Sequence, residues 1–171
     1  MTDEEKLKLN APQGEDDYED SAKTRLRGFE VVSEYAEKGI NLPKRHTAHS
    51  AAYDIEAAET VDIWPGETAR VTTGLKVYMQ PSEWLMLAIR SGLGARGIML
   101  ANAPGIIDSD FYNNATNEGH FVALIHNAGE EPFKVKKGDR IMQAVFMRYL
   151  VADNDQSGGS RNGGLGSTGT R

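Results

Sequence analysis

Four stretches of this chain set charged and hydroxyl side chains among glycines, where a backbone can turn tightly and offer its N–H groups to an anion. Arg90-Ser91-Gly92-Leu93-Gly94-Ala95-Arg96-Gly97 directly follows an apolar run. Gly105-Ile106-Ile107-Asp108-Ser109-Asp110-Phe111 places two carboxylates two positions apart behind an apolar pair. Gly138-Asp139-Arg140-Ile141-Met142-Gln143 puts a charged turn ahead of an apolar stretch. Residues 161–171 are rich in glycine and hydroxyls, with Arg161 and Arg171 at the two ends. Arginines, hydroxyls and glycine-rich turns together suit a polyphosphate. An aspartate presented by an apolar strand can orient a water or bind magnesium. These residue types indicate phosphate chemistry and leave the nucleotide open. Taken by composition alone, the last stretch equally suits a flexible tail.

The elements that hold these residues read as short strands. Ala51 to Ala58 is a strand candidate, and Trp64-Pro65-Gly66-Glu67 is a turn leading into the β-branched stretch Thr68 to Thr73. Trp84 to Ile89 is apolar on both faces, as expected of a strand between two sheets. Phe121 to Ile125 is another strand, and the turn Lys136 to Asp139 precedes Ile141 to Leu150, expected to be the longest. No long helical period and no internal repeat interrupts this pattern, so an all-β sandwich or barrel is expected. The folded domain is expected over residues 25–152. Residues 1–24 read as an acidic flexible tail and 153–171 as a mobile glycine-rich arm.

Composition removes several classes of function. At 171 residues the chain suits one domain plus tails. It has no cysteine, hence no disulfide or thiolate metal site. No apolar run approaches a membrane span, and Met1-Thr2-Asp3-Glu4-Glu5 is the opposite of a signal peptide. A cytoplasmic protein is expected. Residues 1–24 hold eight acids and three lysines, most of the net charge of −6. No basic stripe is left for nucleic acid. His46 and His49 form H-x-x-H without a third ligand nearby, and His120 and His126 read as ordinary satisfied histidines.

In order, Ala51-Ala52-Tyr53-Asp54-Ile55, Arg90-Ser91-Gly92-Leu93, Gly105 to Phe111, Gly138 to Gln143 and Arg161 to Gly169 resemble the five motifs of the trimeric dUTP pyrophosphatases, the dUTPases. The resemblance implies a distorted jelly-roll subunit, a homotrimer whose sites take residues from different subunits, and hydrolysis of dUTP to dUMP and pyrophosphate with Mg2+ on the triphosphate. It implies that Asp108 orients the attacking water. Arg90, Ser91, Gly92 and Gln143 would meet phosphates, and Asp54 and Asp110 would support the site. Asn102 would read the uracil edge, Gly105 and Ile107 would bind substrate, and Phe111 would lie against the deoxyribose. Arg161, Leu165, Gly166, Ser167 and Thr168 would close over the substrate of a neighbouring subunit. The metal would be held by triphosphate and water, with no direct protein ligand.

The chain departs from the family's pattern in places. Ala52 stands for the usual glycine, Phe111 for tyrosine and Leu165 for phenylalanine. Arg161 lies one residue closer than usual to Gly163-Gly164, and residues 112–119 make a longer loop. The related dCTP deaminases share the fold, and Glu118 is the glutamate such an activity would use. A regulatory, protein-binding role through the acidic tail is a further alternative.

Overall fold

The computed structural model describes residues 25–159. Ten strands lie in this span: β1 (Gly28–Val31), β2 (Tyr53–Glu56), β3 (Val61–Ile63), β4 (Thr68–Tyr78), β5 (Glu83–Ile89), β6 (Ile98–Leu100), β7 (Gly105–Asp108), β8 (Phe121–Asn127), β9 (Phe133–Val135) and β10 (Arg140–Arg148). A single helical turn, α1 (Ser91–Gly94), follows β5, and 3-10 turns cover Ser33–Tyr35 and Ser109–Phe111. The strands form two antiparallel four-stranded sheets, ordered β1-β4-β8-β6 and β2-β10-β5-β7, with β3 and β9 as a separate pair. This is the all-β architecture expected of the pattern, in the jelly-roll-like form that the resemblance implies. Among the described residues, no helix is long and apolar enough to cross a membrane.

Strict alternation builds the core. In β8 every second residue is buried from Phe121 to Asn127, and Leu85 and Leu87 of β5 point the same way. Ile55, Val71, Leu85, Ile125, Val135 and Ile141 are essentially inaccessible, each contributing about 1.5–3 kcal/mol by burial. Asn127, also fully buried, replaces backbone partners at the sheet end. Its Nδ2 donates to the carbonyls of Ile63 and Glu131 at 2.9 Å, and its Oδ1 accepts from the Gly129 N–H at 3.0 Å.

Three expectations need correcting. The longest described strand is β4, with eleven residues, while β10 has nine and stops at Arg148. Gly74, which reads as a break in the sequence, is a bulge instead. The β4–β8 register slips between Thr72 and Leu75, and β4 runs on to pair with β1 as far as Tyr78. Gly74 has φ +70°, and a Cβ there would stand 2.9 Å from the Tyr35 ring and from Ile40, so only glycine fits. Likewise, β5 does not lie between two sheets. It lies inside one, between β10 and β7, with Trp84, Met86 and Ala88 half-buried on the sheet's outer face.

At the start of β5 the Glu83 carboxylate, 4 % exposed as a residue, accepts Arg27 Nη2 at 2.7 Å and Nε at 3.0 Å, and the Gln80 N–H at 3.2 Å. The Arg27 hydrogen bonds, and then that of Gln80, hold its pKa below the ordinary glutamate value.

Candidate functional site

The described site residues fall into two groups, one at a corner just past the end of β5 and one around a cavity bordered by Leu87, with Asp108 at the Trp84 end of that strand. The first gathers around Asp54 of β2, which is paired across the sheet with Gln143 of β10. Gln143 in turn faces Ala88 of β5, so Arg90, just past the end of β5, comes back to the same corner. Arg90 Nε lies 3.2 Å from Asp54 Oδ1, and Arg140 Nη1 lies 3.1 Å from Oδ2. The Asp54 side chain is 15 % exposed against 34 % and 41 % for the two arginines. One carboxylate therefore fixes two guanidinium groups whose outer faces stay open to solvent. Ser91 and Gly92 lie exposed in α1, directly after the extended Arg90. Gly138, at φ +85°, closes the turn that starts β10 at Arg140. Within that turn the Asp139 N–H donates to the Lys136 carbonyl.

His46 belongs to this corner as well. Its Nε2 lies 3.1 Å from Asp54 Oδ2 and 3.0 Å from Arg140 Nη1. Nε2 accepts from Arg140 in one tautomer and donates to Asp54 in the other. Neither His46 nor Arg140 was singled out as a site residue from the sequence. Arg140 lies inside a motif that was noticed. His46 reads in the sequence only as half of H-x-x-H, because its place at this corner depends on the bridge between Lys44 and Asp54 that folds its loop onto β2.

The second group surrounds a cavity of about 80 Å3 whose wall includes Asn102, Gly105, Ile107 and Phe111. Leu87 and Leu100 supply apolar lining, and Arg70, Asn117 and His120 supply polar lining. The Gly105 position is tight, since a Cβ there would stand 3.1 Å from the Leu87 Cβ. That approach sets β7 close against β5. Asp108 ends β7 opposite Trp84 and, with Ser109 and Asp110, edges a neighbouring surface hollow of about 590 Å3 that also includes Ile106 and Tyr149.

His120 is buried. Its Nε2 accepts the Gly74 N–H at 2.9 Å, and its ring meets that of Tyr35 edge-on at 5.1 Å. Burial, followed by the nearby Arg70 charge, lowers its pKa, so the ring is neutral with its proton on Nδ1. The satisfied-histidine expectation holds for His120, with the addition that it forms cavity wall. His126 bonds Thr68 Oγ1 through Nδ1 at 2.9 Å.

Glu118 is not among the residues lining that cavity. Its carboxylate binds Lys76 Nζ at 2.6 Å, the Ser33 N–H at 2.9 Å and Ser33 Oγ at 3.0 Å. Led by the Lys76 hydrogen bond, these donors lower its pKa to about 2. A carboxylate so engaged is poorly suited to shuttle protons, so these contacts do not favour the deaminase alternative.

Asp108 stands well apart from the Arg90 corner within one chain. Asp108 faces Trp84, and Arg90 lies six residues further along β5, a separation of about 20 Å at strand geometry. Arg161, Leu165, Gly166, Ser167 and Thr168 lie outside the described residues, as does the acidic segment 1–24.

A family model described as dUTPase matches residues 38–169. The deoxyuridine 5'-triphosphate nucleotidohydrolase of Lactococcus lactis is 51% identical over 148 residues, covering 85% of this chain and 99% of the relative. The same-named protein of Chromobacterium violaceum is 38% identical over 138 residues, covering 75% and 88%. The crystal structure of a dUTPase from Streptococcus mutans superposes with a TM-score of 0.70 at 42% identity, covering 74% of this chain and 99% of that one.

Proposed function

Since the chain belongs to the dUTPase family, we propose that it hydrolyses dUTP to dUMP and pyrophosphate, in the cytoplasm, as a homotrimer with three composite sites. The observation that carries this reading is the convergence of Asn102, Gly105, Ile107 and Phe111 on one cavity whose wall runs directly into Asp108. Asn102 reads the uracil edge, Gly105 and Ile107 line the base pocket, and the Phe111 ring fills the space a ribose 2′-hydroxyl would need. A base with the wrong donor pattern leaves a buried polar partner unpaired, a mismatch that can reach roughly 10⁴-fold.

Asp108 accepts a hydrogen bond from the attacking water and aims its oxygen at the α-phosphorus. As the water oxygen bonds to that phosphorus, the bond from phosphorus to the bridging oxygen breaks, pyrophosphate leaves, and the water's proton passes by way of Asp108 to solvent. Arg90, Ser91, Gly92 and Gln143 of a neighbouring subunit bind the phosphate oxygens and take up the charge that develops on the leaving group. Asp54 holds Arg90 in place, and Asp110 supports the turn behind Asp108. Arg161, Leu165, Gly166, Ser167 and Thr168 close over the substrate and exclude bulk water.

Mg2+ would neutralise charge on the triphosphate. The donors fit a metal carried by the substrate. Asp54 accepts from an arginine on each oxygen and, as a carboxylate, keeps lone pairs for a metal-bound water. The homotrimer is supported by the separation of Asp108 from Arg90 along β5. It is further supported by the apolar outer face of that sheet. There Met86 lies between Val145 and Ile106 in register, and Ile106 is 59 % exposed, a surface that subunit contact would cover.

The test is pyrophosphate release from dUTP, dCTP, dTTP and UTP, with magnesium and with excess chelator. The expected result is magnesium-dependent release from dUTP alone. Comparable release from dCTP, dTTP or UTP would overturn the assignment.

A further inference from the structure

We propose that Lys76 is a positioning residue for substrate selection, holding the 112–119 loop so that Phe111 and Asn117 form a fixed wall of the nucleoside cavity. The inference rests on the reading of that cavity given above. Lys76 is a buried lysine of β4. Its Nζ lies 2.6 Å from Glu118 Oε1, 2.8 Å from Asn113 Oδ1 and 3.7 Å from Glu30 Oε2. Asn113 and Glu118 are the described non-glycine residues with positive φ, at 53° and 62°. A left-handed backbone disfavours an ordinary residue by roughly 5- to 30-fold, less for asparagine. The ammonium therefore grips the two positions where the loop is most strained.

From these anchors the constraint runs to the cavity through short hydrogen bonds. Asn113 N–H donates to the Glu118 carbonyl at 3.2 Å, and Glu118 N–H to the Asn114 carbonyl at 3.0 Å. Asn114 Nδ2 donates to the Phe111 carbonyl and to Asn117 Oδ1, both at 2.8 Å. Asn117 Nδ2 donates to the His120 carbonyl at 3.0 Å. Phe111, Asn117 and His120 all line the cavity. Gly119, at φ +81°, packs so closely that a Cβ would stand 2.7 Å from the Phe111 carbonyl oxygen. The outer side is fastened too, because Tyr112 Oη donates to Glu30 Oε2 at 2.7 Å. Without the ammonium, Glu118 would lose its cation while Glu30 kept Arg25, and the loop would lose the contact that spans both strained residues.

The experiment uses the full chain carrying Lys76→Met, which keeps the stem and removes the charge, with Lys76→Arg as the conservative variant and Phe111→Ala as a control. kcat and KM are measured for dUTP and UTP. The expected result for Lys76→Met is a rise of about tenfold in KM for dUTP, with kcat within about threefold and the dUTP-over-UTP preference reduced about tenfold. Lys76→Arg should retain the preference. Should Lys76→Met not fold, Glu118→Gln is to show the same direction of change. Unchanged KM and preference in the folded variants, with Phe111→Ala relaxing the preference, would overturn the role of Lys76. An unchanged preference in Phe111→Ala itself would overturn the reading of the cavity, and this inference with it.

Discussion

If Asp108 and Arg90 act together while about 20 Å apart along β5 of one chain, then two inactive variants should repair each other in a mixed trimer. Asp108→Asn removes the water-orienting charge and leaves Arg90 untouched. Arg90→Ala removes a phosphate ligand, while Asp54 retains Arg140 at 3.1 Å, so the corner keeps its fold. Co-expression with two different tags and sequential purification yields trimers containing both variants, always two chains of one and one of the other. Around a closed threefold ring only one junction then joins an intact Asp108 to an intact neighbouring Arg90. Activity should therefore recover to about one third of wild type per trimer. Each parent alone should stay at least roughly 100-fold below wild type. Pyrophosphate release under saturating dUTP and magnesium measures it. Were both residues to serve a site within one chain, every chain would lack one of them, and the mixed trimers would be as inactive as the parents. That result would refute the composite site.

Asp108→Asn by itself should lower kcat by roughly 10³-fold while dUTP affinity stays within a few-fold, measured by single turnover and by calorimetric titration. Glu83→Gln should lower Tm on the order of 5 °C at neutral pH. Because Arg27 depresses the folded-state pKa of Glu83, the contribution of that pair is fully present above the unfolded-state value and disappears as pH falls through the folded-state value. The Tm difference between variant and wild type should accordingly shrink on acidification, and a constant difference would refute the assignment. Asn127→Ala leaves the Ile63 and Glu131 carbonyls and the Gly129 N–H without their shared partner, and should cost about 2–4 kcal/mol in urea unfolding with an unchanged m value.

The ends of β4 and the lengths of the short strands show where local pattern stops being informative. Thr68 to Thr73 announces a strand through its β-branched residues, but Gly74 reads as an end. It serves as a bulge because Tyr35 and Ile40 press against it from elsewhere in the chain. Gly105 to Asp108 reads as a polar break, yet pairs residue by residue with β5. There the glycine marks a close approach to Leu87, and the aspartate marks the strand's end. Lys76 carries no signal in the sequence, and His46 shows only as half of H-x-x-H, since each gains its meaning from a partner distant in sequence.

By itself the sequence determined the all-β class, the motifs and their order, and hence the family and its reaction. Those properties are written in side-chain type and in local spacing, which a linear chain displays directly. Only the tertiary structure decided which residues share a corner. It put Asp54 between two arginines, enclosed Phe111 and Asn102 around one cavity and tied Glu118 to Lys76. It also placed Asp108 and Arg90 at opposite ends of a strand. The reason is that strand register and bulges fix distances between residues far apart in sequence, and catalysis by positioned charges depends on those distances.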